Sequence, residues 1–302
     1  MSLPPVIGRL APSPTGFLHL GNARTFLIAW LHARQRGGQM ILRIEDLDAP
    51  RVKPGYAEAQ IDDLKWLGLV WDREPIFQSQ RLEYYRAALQ KLKEQELVYP
   101  CTCTRKDIEQ SASAPHADNE PPLYPGRCAH RQAADADKLT VPYAWRFRFT
   151  EAPEFLDLFH GSVRLSAPAI GGDFVIWRGE IPSYQLAVVV DDAAQGVTEV
   201  IRGDDLIFST PRQLGIFAAL KQKPPRYGHV PLLLDSQGKR MAKRNDSTRL
   251  SNLRSAGVRS EDVIGRLAYS CGYLDTPIAI SAQELLGICD ASKLKIRPPL
   301  KV

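Results

Sequence analysis

The first forty-odd residues restrict the fold of this chain more than any other segment. Val6 to Leu10 is a short apolar run, and Met40 to Ile44, "MILRI", is a second. Between them Leu20, Ala23, Phe26, Leu27, Trp30 and Leu31 recur at helical spacing. Short apolar runs bounded by turn residues read as buried strands, and recurrence every three to four residues reads as a helix. The helix is expected over Gly21–Arg36, closed by the glycines of "RGGQ", as helix C-termini prefer. Strand, helix and strand in this order form a βαβ unit, which commits the chain to a parallel sheet. The turn between the first strand and the helix lies in "RLAPSPTGFLHLGNARTFL", Arg9 to Leu27. In an open parallel sheet, ligands bind beyond the carboxyl ends of the strands, so this turn stands where a ligand is expected. Glycine lets backbone approach a ligand closely, and a helix N-terminus offers N–H groups and a positive dipole end to phosphate. His19, just before the helix, either donates to a phosphoryl oxygen or only caps the helix. On these residues alone both readings stand.

Further helices are expected over Gly55–Leu67 and Arg81–Glu96. After Tyr99 the pattern changes. Glu109 to Gly126, "EQSASAPHADNEPPLYPG", is rich in Ala, Ser and Pro and reads as a mobile loop, while "AWRFRFT" and "DFVIWR" carry strand signals. Then "YQLAVVVDD" (Tyr184–Asp192), "TEVIRG" (Thr198–Gly203) and "HVPLLLD" read as three more buried strands, and from Ser247 the spacing is helical and short. No internal repeat is evident. The expected architecture is α/β: a Rossmann-like, doubly wound parallel sheet split by an α+β insertion, with a small C-terminal helical subdomain. The expected division is 1–98 and 183–236 for the two halves of the sheet domain, 99–182 for the insertion and 237–302 for a basic loop and the helical end.

Composition narrows the class of protein. No apolar run is long enough to span a bilayer, and "MSLPPVIGRL" lacks a basic segment before an apolar core. A cytoplasmic protein with no membrane partner is expected. Thirty-nine basic and 34 acidic residues give a net charge of +5, a mild excess. Lys239 to Arg259 holds seven Lys or Arg against Asp246 alone, which is either a solvated helical face or a phosphate-binding stretch. The five cysteines, an odd number, argue against a disulfide framework. Cys271 and Cys289 stand in apolar surroundings and read as inert core thiols. Cys101 and Cys103 form a Cys-x-Cys pair, and Cys128 follows 25 residues after Cys103. Three such thiols suit a structural zinc with one further ligand. By chemistry that ligand is His116 or His130, and three unpaired thiols are the alternative.

The motifs together carry a resemblance. Arg240-Met241-Ala242-Lys243-Arg244, in "GKRMAKR", is similar to the mobile Lys-Met-Ser-Lys-Ser loop of class I aminoacyl-tRNA synthetases, and "HLGN" occupies the place of their His-Ile-Gly-His signature. "RLAPSPTGFLHLGNARTFL", "LRIEDLDAPR", "DDLKWLGLVWD", "AVVVDD", "VIRGDDL" and "PLLLDSQGKRMAKR" resemble, in the same order, the catalytic domain of glutamyl-tRNA synthetase. The resemblance implies catalytic roles for His19 and Lys243, with ATP held by His19, Gly21, Asn22 and Lys243. It also implies a glutamate pocket of Arg9, Ser13, Glu45, Tyr184 and Arg202. ATP is implied as substrate, with Mg2+. Asn22 departs from the second signature histidine, and Arg240 and Ala242 depart from the loop pattern. The Cys-x-Cys and Tyr-x-x-x-Cys insertion and the chain length are similar to the glutamyl-queuosine tRNA(Asp) synthetases. Those attach glutamate to queuosine at the wobble position of tRNA(Asp), and the tyrosine of their pattern implies Tyr124 as the fourth zinc ligand beside Cys101, Cys103 and Cys128. Fifty-eight residues follow Arg244, so no anticodon-binding domain is expected. The expected partners are L-glutamate, ATP and the queuosine-bearing anticodon stem-loop of tRNA(Asp), with the protein a monomer. The alternatives are a shortened enzyme charging tRNA(Glu), a small-molecule nucleotidyltransferase and a non-catalytic tRNA-binding module.

Overall fold

The computed structural model describes residues 6–104, 106–108, 123–233 and 248–295. In chain order its main elements are β1 (Ile7–Leu10), α1 (Leu20–Arg34), β2 (Gln39–Ile44), α2 (Tyr56–Trp66), β3 (Ile76–Phe77), α3 (Leu82–Glu94), β4 (Val98–Cys101), β5 (Ala144–Phe147), β6 (Phe155–Asp157) and β7 (Gly161–Val163). There follow β8 (Phe174–Arg178), β9 (Ile181–Pro182), α4 (Tyr184–Gln195), β10 (Glu199–Gly203), α5 (Ser209–Ala219), β11 (Arg226–Val230), α6 (Leu250–Ser255), α7 (Ser260–Ser270) and α8 (Ala282–Ile288). They fall into two units. The first draws on Met1–Gln80, Val197–Asp204 and Arg226–Val302, the second on Arg81–Gly196 and Asp205–Pro225.

The first unit bears out the βαβ start. β1 pairs in parallel with β2 from Ile7 opposite Gln39 to Leu10 opposite Leu42, and β2 pairs in parallel with β3. β10 and β11 are likewise parallel, with Arg202 opposite His229. Thr198 links β10 to β1: its N–H donates to the Ile7 carbonyl (2.9 Å) and its Oγ1 accepts the Ile7 N–H (2.8 Å). Leu27, Ile28 and Leu31 of α1 are fully buried, as are Leu10, Met40 and Leu42 of the strands. At the amino end of β10 the buried Glu199 takes Arg36 at 2.8 Å, Arg226 at 2.7 Å and the ring of His32. Burial alone would raise the Glu199 carboxyl, but His32, Arg36 and Arg226 outweigh it and hold the group below its usual range. This cluster staples one end of the sheet and leaves the carboxyl end for other work.

The second unit is built on an antiparallel sheet, ordered β4, β5, β8, β9, with the β6–β7 hairpin. The strands expected in "AWRFRFT" and "DFVIWR" are β5 and β8.

Two expectations need correction. "YQLAVVVDD" is not a strand: Tyr184–Gln195 is the helix α4. An unbroken apolar run fits a buried strand or a buried helix equally well by pattern, and length decides. Twelve residues run from the extended Ser183 to Gly196, whose φ of 70° ends the helix in the left-handed region that glycine enters without strain. Asp191, fully buried at the far end of the run, accepts from Arg81 Nε (2.7 Å) and Tyr85 Oη (2.8 Å). The second correction is that, among the described residues of "HVPLLLD", His229 and Val230 alone are strand, because β11 ends at Val230, while Leu234 and Asp235 lie outside the described residues. Pro231 has no N–H to continue the ladder, and its carbonyl instead accepts from the buried guanidinium of Arg24. Among the described residues no helix is long and apolar enough to cross a membrane. Cys271 is fully buried as expected, whereas Cys289 is only half-buried.

Candidate active site and thiol cluster

Three groups meet the carboxyl ends of adjacent strands in the first unit. Arg9 comes from β1, Arg202 from β10, and Glu45 follows the last residue of β2. Both arginines are almost wholly buried, at 6 % and 4 % exposure. Arg9 Nη1 donates to the carbonyl of Ile201 (3.2 Å), the residue before Arg202, which brings together two positions that the sequence keeps nearly two hundred residues apart. Arg202 Nε donates to His229 Nε2 (3.1 Å), and its guanidinium lies 5.1 Å from the Tyr227 ring centre. His229 is therefore an acceptor through Nε2, so its neutral ring carries the proton on Nδ1. Glu45 is half-buried and pairs through Oε1 with Arg43 Nη2 at 3.2 Å. Its backbone N–H donates to the Pro12 carbonyl (2.9 Å), tying the end of β2 to the turn after β1. Ser13 is exposed, and its carbonyl is held by Gln60 Nε2 (2.9 Å), which also takes the Gly16 carbonyl at 2.7 Å. Tyr184, half-buried, is the first residue of α4 in the second unit.

The turn ends on α1, and His19 caps it. His19 Nδ1 accepts the Gly21 N–H (3.1 Å), and Asn22 Oδ1 accepts the His19 N–H (3.2 Å), a reciprocal capping box. Asn22 thus has a reason of its own to stand where the resembled signature has a second histidine. The capping reading of His19 is the one observed. With Nδ1 an acceptor, the neutral ring carries its proton on Nε2, which makes Nε2 a donor. Gly21 is required: a Cβ there would lie 2.9 Å from His19 Cε1 and 3.0 Å from Nδ1. The first turn of α1 holds no acidic residue, so the positive end of its dipole is open to an anion. Backbone bridges join this turn to the segment before α6: His19 pairs with Arg249, and Leu250 N–H donates to the Leu18 carbonyl (3.0 Å). Lys243, the other expected catalytic group, lies outside the described residues with Arg240, Ala242 and Arg244.

Sequence reasoning missed Arg43, His229 and Gln60. Arg43 and His229 are wholly buried polar residues within apolar strands, and Gln60 is as deeply buried on α2. A charged residue inside a buried strand was the available signal for Arg43. For His229 only the register opposite Arg202 reveals its task.

The second unit gathers the three expected thiols. The sulfurs of Cys101, Cys103 and Cys128 lie within 4.8 Å of one another. Cys101 ends β4, where the antiparallel pairing with β5 fixes it opposite Ala144. Cys103 and Cys128 are 3.8 Å apart, the edge of a tetrahedron with metal–sulfur bonds of about 2.3 Å. Tyr124 Oη stands 3.4 Å from Cys101 Sγ and accepts the Cys128 N–H at 2.9 Å. Oxygen and sulfur sharing one tetrahedral ion at ordinary bond lengths would be about 3.5 Å apart. The donor set therefore fits a small ion with Tyr124 as the fourth ligand. His130 is exposed and adds no nitrogen to the group among the described residues, and His116 lies outside them. Burial and the neighbouring Cys101 push the Cys103 thiol up to about 11. Burial also acts upward on Cys128, but hydrogen bonds from Thr102, Cys103 and Tyr124, with the charge of Arg131, outweigh it and bring the thiol down to about 7. Arg148 fastens the turn beyond Cys128 by donating to the carbonyls of Ala129 (2.6 Å) and Arg131 (2.5 Å).

The chain is similar over most of its length to known proteins. The family described as class I tRNA synthetases (E and Q), catalytic domain, matches residues 5–271. The Glutamyl-Q tRNA(Asp) synthetase of Symbiobacterium thermophilum is 46% identical over 311 residues, covering 98% of this chain and 95% of its own. That of Rhodopirellula baltica is 47% identical over 291 residues, covering 92% and 88%. Among solved structures, a glutamate tRNA ligase from Elizabethkingia meningosepticum in complex with its amino acid superposes with a TM-score of 0.81 at 26% identity. That match covers 97% of this chain and 66% of the ligase.

Proposed function

The chain belongs to the class I tRNA synthetases of the glutamate and glutamine type, and from that premise we propose that it activates L-glutamate with ATP and transfers it to the queuosine base of tRNA(Asp). The observation that carries the amino-acid part is the pair of buried guanidinium groups, Arg9 and Arg202, at the carboxyl ends of neighbouring strands. A planar guanidinium can hold a carboxylate through two parallel hydrogen bonds. Two of them suit an acidic substrate with two carboxylates better than its neutral amide. Glu45 would face the ammonium of glutamate, held in place by Arg43. Ser13 and Tyr184 enter the proposal through the resemblance alone.

In the first step a glutamate carboxylate oxygen attacks the α-phosphorus of ATP, and pyrophosphate departs. Charge accumulates on the phosphoryl oxygens and must be met by donors already in place. His19 Nε2–H is proposed as such a donor, backed by the positive end of the α1 dipole, with Gly21 and Asn22 keeping the ring in position. Lys243 is proposed to meet the departing pyrophosphate, with Mg2+ accompanying ATP. In the second step a hydroxyl of the queuosine cyclopentenediol attacks the acyl carbon, AMP leaves with the electron pair of the broken bond on its phosphate oxygen, and the hydroxyl proton passes to that phosphate or to solvent.

Zinc is the ion proposed for Cys101, Cys103, Cys128 and Tyr124. Its part is to fix the loops that carry these residues, since all four protein ligands close the coordination sphere. Elemental analysis of the purified protein should return one zinc per chain, and an intact fold without zinc would defeat the metal reading. The acceptor is decided by incubating the protein with glutamate and ATP on tRNA(Asp) with and without queuosine, and on tRNA(Glu). Product only on queuosine-bearing tRNA(Asp) is expected. Product on tRNA(Glu), or equal product on both forms of tRNA(Asp), would refute the acceptor.

A further inference from the structure

Four donors around one ion set an electrostatic problem. Three thiolates outweigh a dication by one charge, and an ionised phenol would make it two. Such an excess is costly in a buried place unless positive charge lies close by. Most of the site is dry, since Cys101, Cys128 and Tyr124 are 2 %, 5 % and 6 % exposed, while Cys103 is half-buried.

Arg146 answers that problem. It sits on β5 opposite Tyr99 of β4, two residues along β4 from Cys101. The β5–β8 pairing shifts register between Trp145 and Arg146. An irregularity of that kind re-aims the side chain that follows it. Arg146 is itself 6 % exposed. Its Nε donates to Cys101 Sγ at 3.3 Å, and its guanidinium carbon stands 3.8 Å from the centre of the Tyr124 ring. A third contact, from Nη1 to the Asp173 carbonyl at 2.8 Å, fixes the plane of the group. Asp173 is itself held, because its carboxylate accepts from Tyr99 Oη at 2.6 Å and from the Phe149 N–H at 2.7 Å. One planar cation thus touches two of the four ligands, one through a hydrogen bond to sulfur and the other through the face of a ring. Its polar partners are a sulfur and a carbonyl oxygen, neither of them a carboxylate, so no ion pair among these contacts absorbs its charge.

We propose that Arg146 is the positioning and charge-balancing residue of the metal centre: it locks Cys101 Sγ and the Tyr124 ring in one arrangement and offsets the negative charge of the loaded site. This rests on the metal reading given under Proposed function. Groups that orient metal ligands in this way typically change metal affinity by about ten- to a hundredfold when removed. Lysine carries the charge but has no flat face with which to cover the ring while donating to sulfur.

The test uses the full-length protein. The zinc dissociation constant is measured by competition with a chromophoric chelator for the parent, Arg146→Met and Arg146→Lys. Cobalt(II) is then substituted, and its visible spectrum reports the geometry of the ligand set. A loss of about ten- to a hundredfold in affinity is expected for Arg146→Met, with an altered cobalt spectrum, and a smaller loss for Arg146→Lys. Parental affinity and a parental spectrum in Arg146→Met overturn the proposal. If that variant does not fold, Arg146→Lys decides alone: affinity and spectrum equal to the parent overturn it, and weaker binding with a changed spectrum supports it. A parent that takes up neither zinc nor cobalt removes the centre itself, which is a different failure from a loaded parent indifferent to Arg146.

Discussion

Replacing Gly21 by alanine separates the structural from the chemical task of His19. A Cβ at this position would lie 2.9 Å from His19 Cε1 and 3.0 Å from Nδ1, with Leu233 no closer than 3.9 Å. The ring must therefore swing away, and the bond from Gly21 N–H to Nδ1 at 3.1 Å is lost. Losing a cap costs about 1 kcal/mol, while alanine in place of glycine near a helix start returns about 0.5–1 kcal/mol. The two nearly cancel, so the melting temperature should stay within about 3 °C of the parent. Activation should not survive as well. A displaced donor at a developing phosphoryl charge costs roughly a hundredfold. Glutamate-dependent exchange of pyrophosphate into ATP measures this step directly. His19→Asn supplies the second arm: asparagine caps well but cannot reproduce the Nε2 donor, so stability should hold and exchange should fall by a similar factor. Parental exchange in His19→Asn would reduce His19 to a capping residue and refute the catalytic assignment.

Three further outcomes follow from the same geometry. Arg202→Lys keeps a charge but loses the planar fork held by His229, so kcat/KM for glutamate in the exchange assay should fall about a hundredfold, and the preference over glutamine should shrink. Glu199→Gln strips the carboxylate from a buried cluster of His32, Arg36 and Arg226 and should cost about 3–5 kcal/mol in chemical denaturation at neutral pH. Because the folded carboxyl is held below its usual range, that contribution is present above the unfolded value and is lost as pH falls through the lower, folded one, so the difference between variant and parent should shrink in acid. Asp63 runs the other way. Burial pushes its carboxyl up to about 6, so folding favours its protonated form, and parent stability should decline as pH rises from about 4 through 6. Asp63→Asn should therefore be more stable than the parent at pH 8 by about 1–3 kcal/mol and equal to it near pH 4. A pH-independent difference would exclude this origin.

Much of the site was legible before the fold. The turn between β1 and α1 announces itself because capping and strand-to-helix switching are local: His19, Gly21 and Asn22 sit within four residues and form one hydrogen-bonded box. The thiols were legible for a similar reason, since Cys-x-Cys brings two sulfurs together with little help from the rest of the chain. The helix over Tyr184–Gln195 was not, because its unbroken apolar run, Leu186 to Val190, is mostly buried and lacks the polar face that would give its period away. His229 and Arg43 were hidden for another reason. A polar residue in an apolar strand is unexplained until its neighbour is known, and those neighbours are Arg202 across a parallel ladder and Glu45 at a strand end.

By itself, then, the sequence determined the βαβ start, the ligand-facing turn with its capped helix, and three cysteines spaced for an ion, all of which depend on interactions spanning a few residues. Tertiary structure alone decided that Arg9 reaches the carbonyl beside Arg202, that Tyr124 Oη stands against Cys101 Sγ, and that Arg146 lies across both Cys101 and Tyr124. These contacts join residues from about twenty to nearly two hundred positions apart. Periodicity and turn chemistry act locally and carry no information on such pairs, whereas strand order, register and a single shift in the β5–β8 ladder set them.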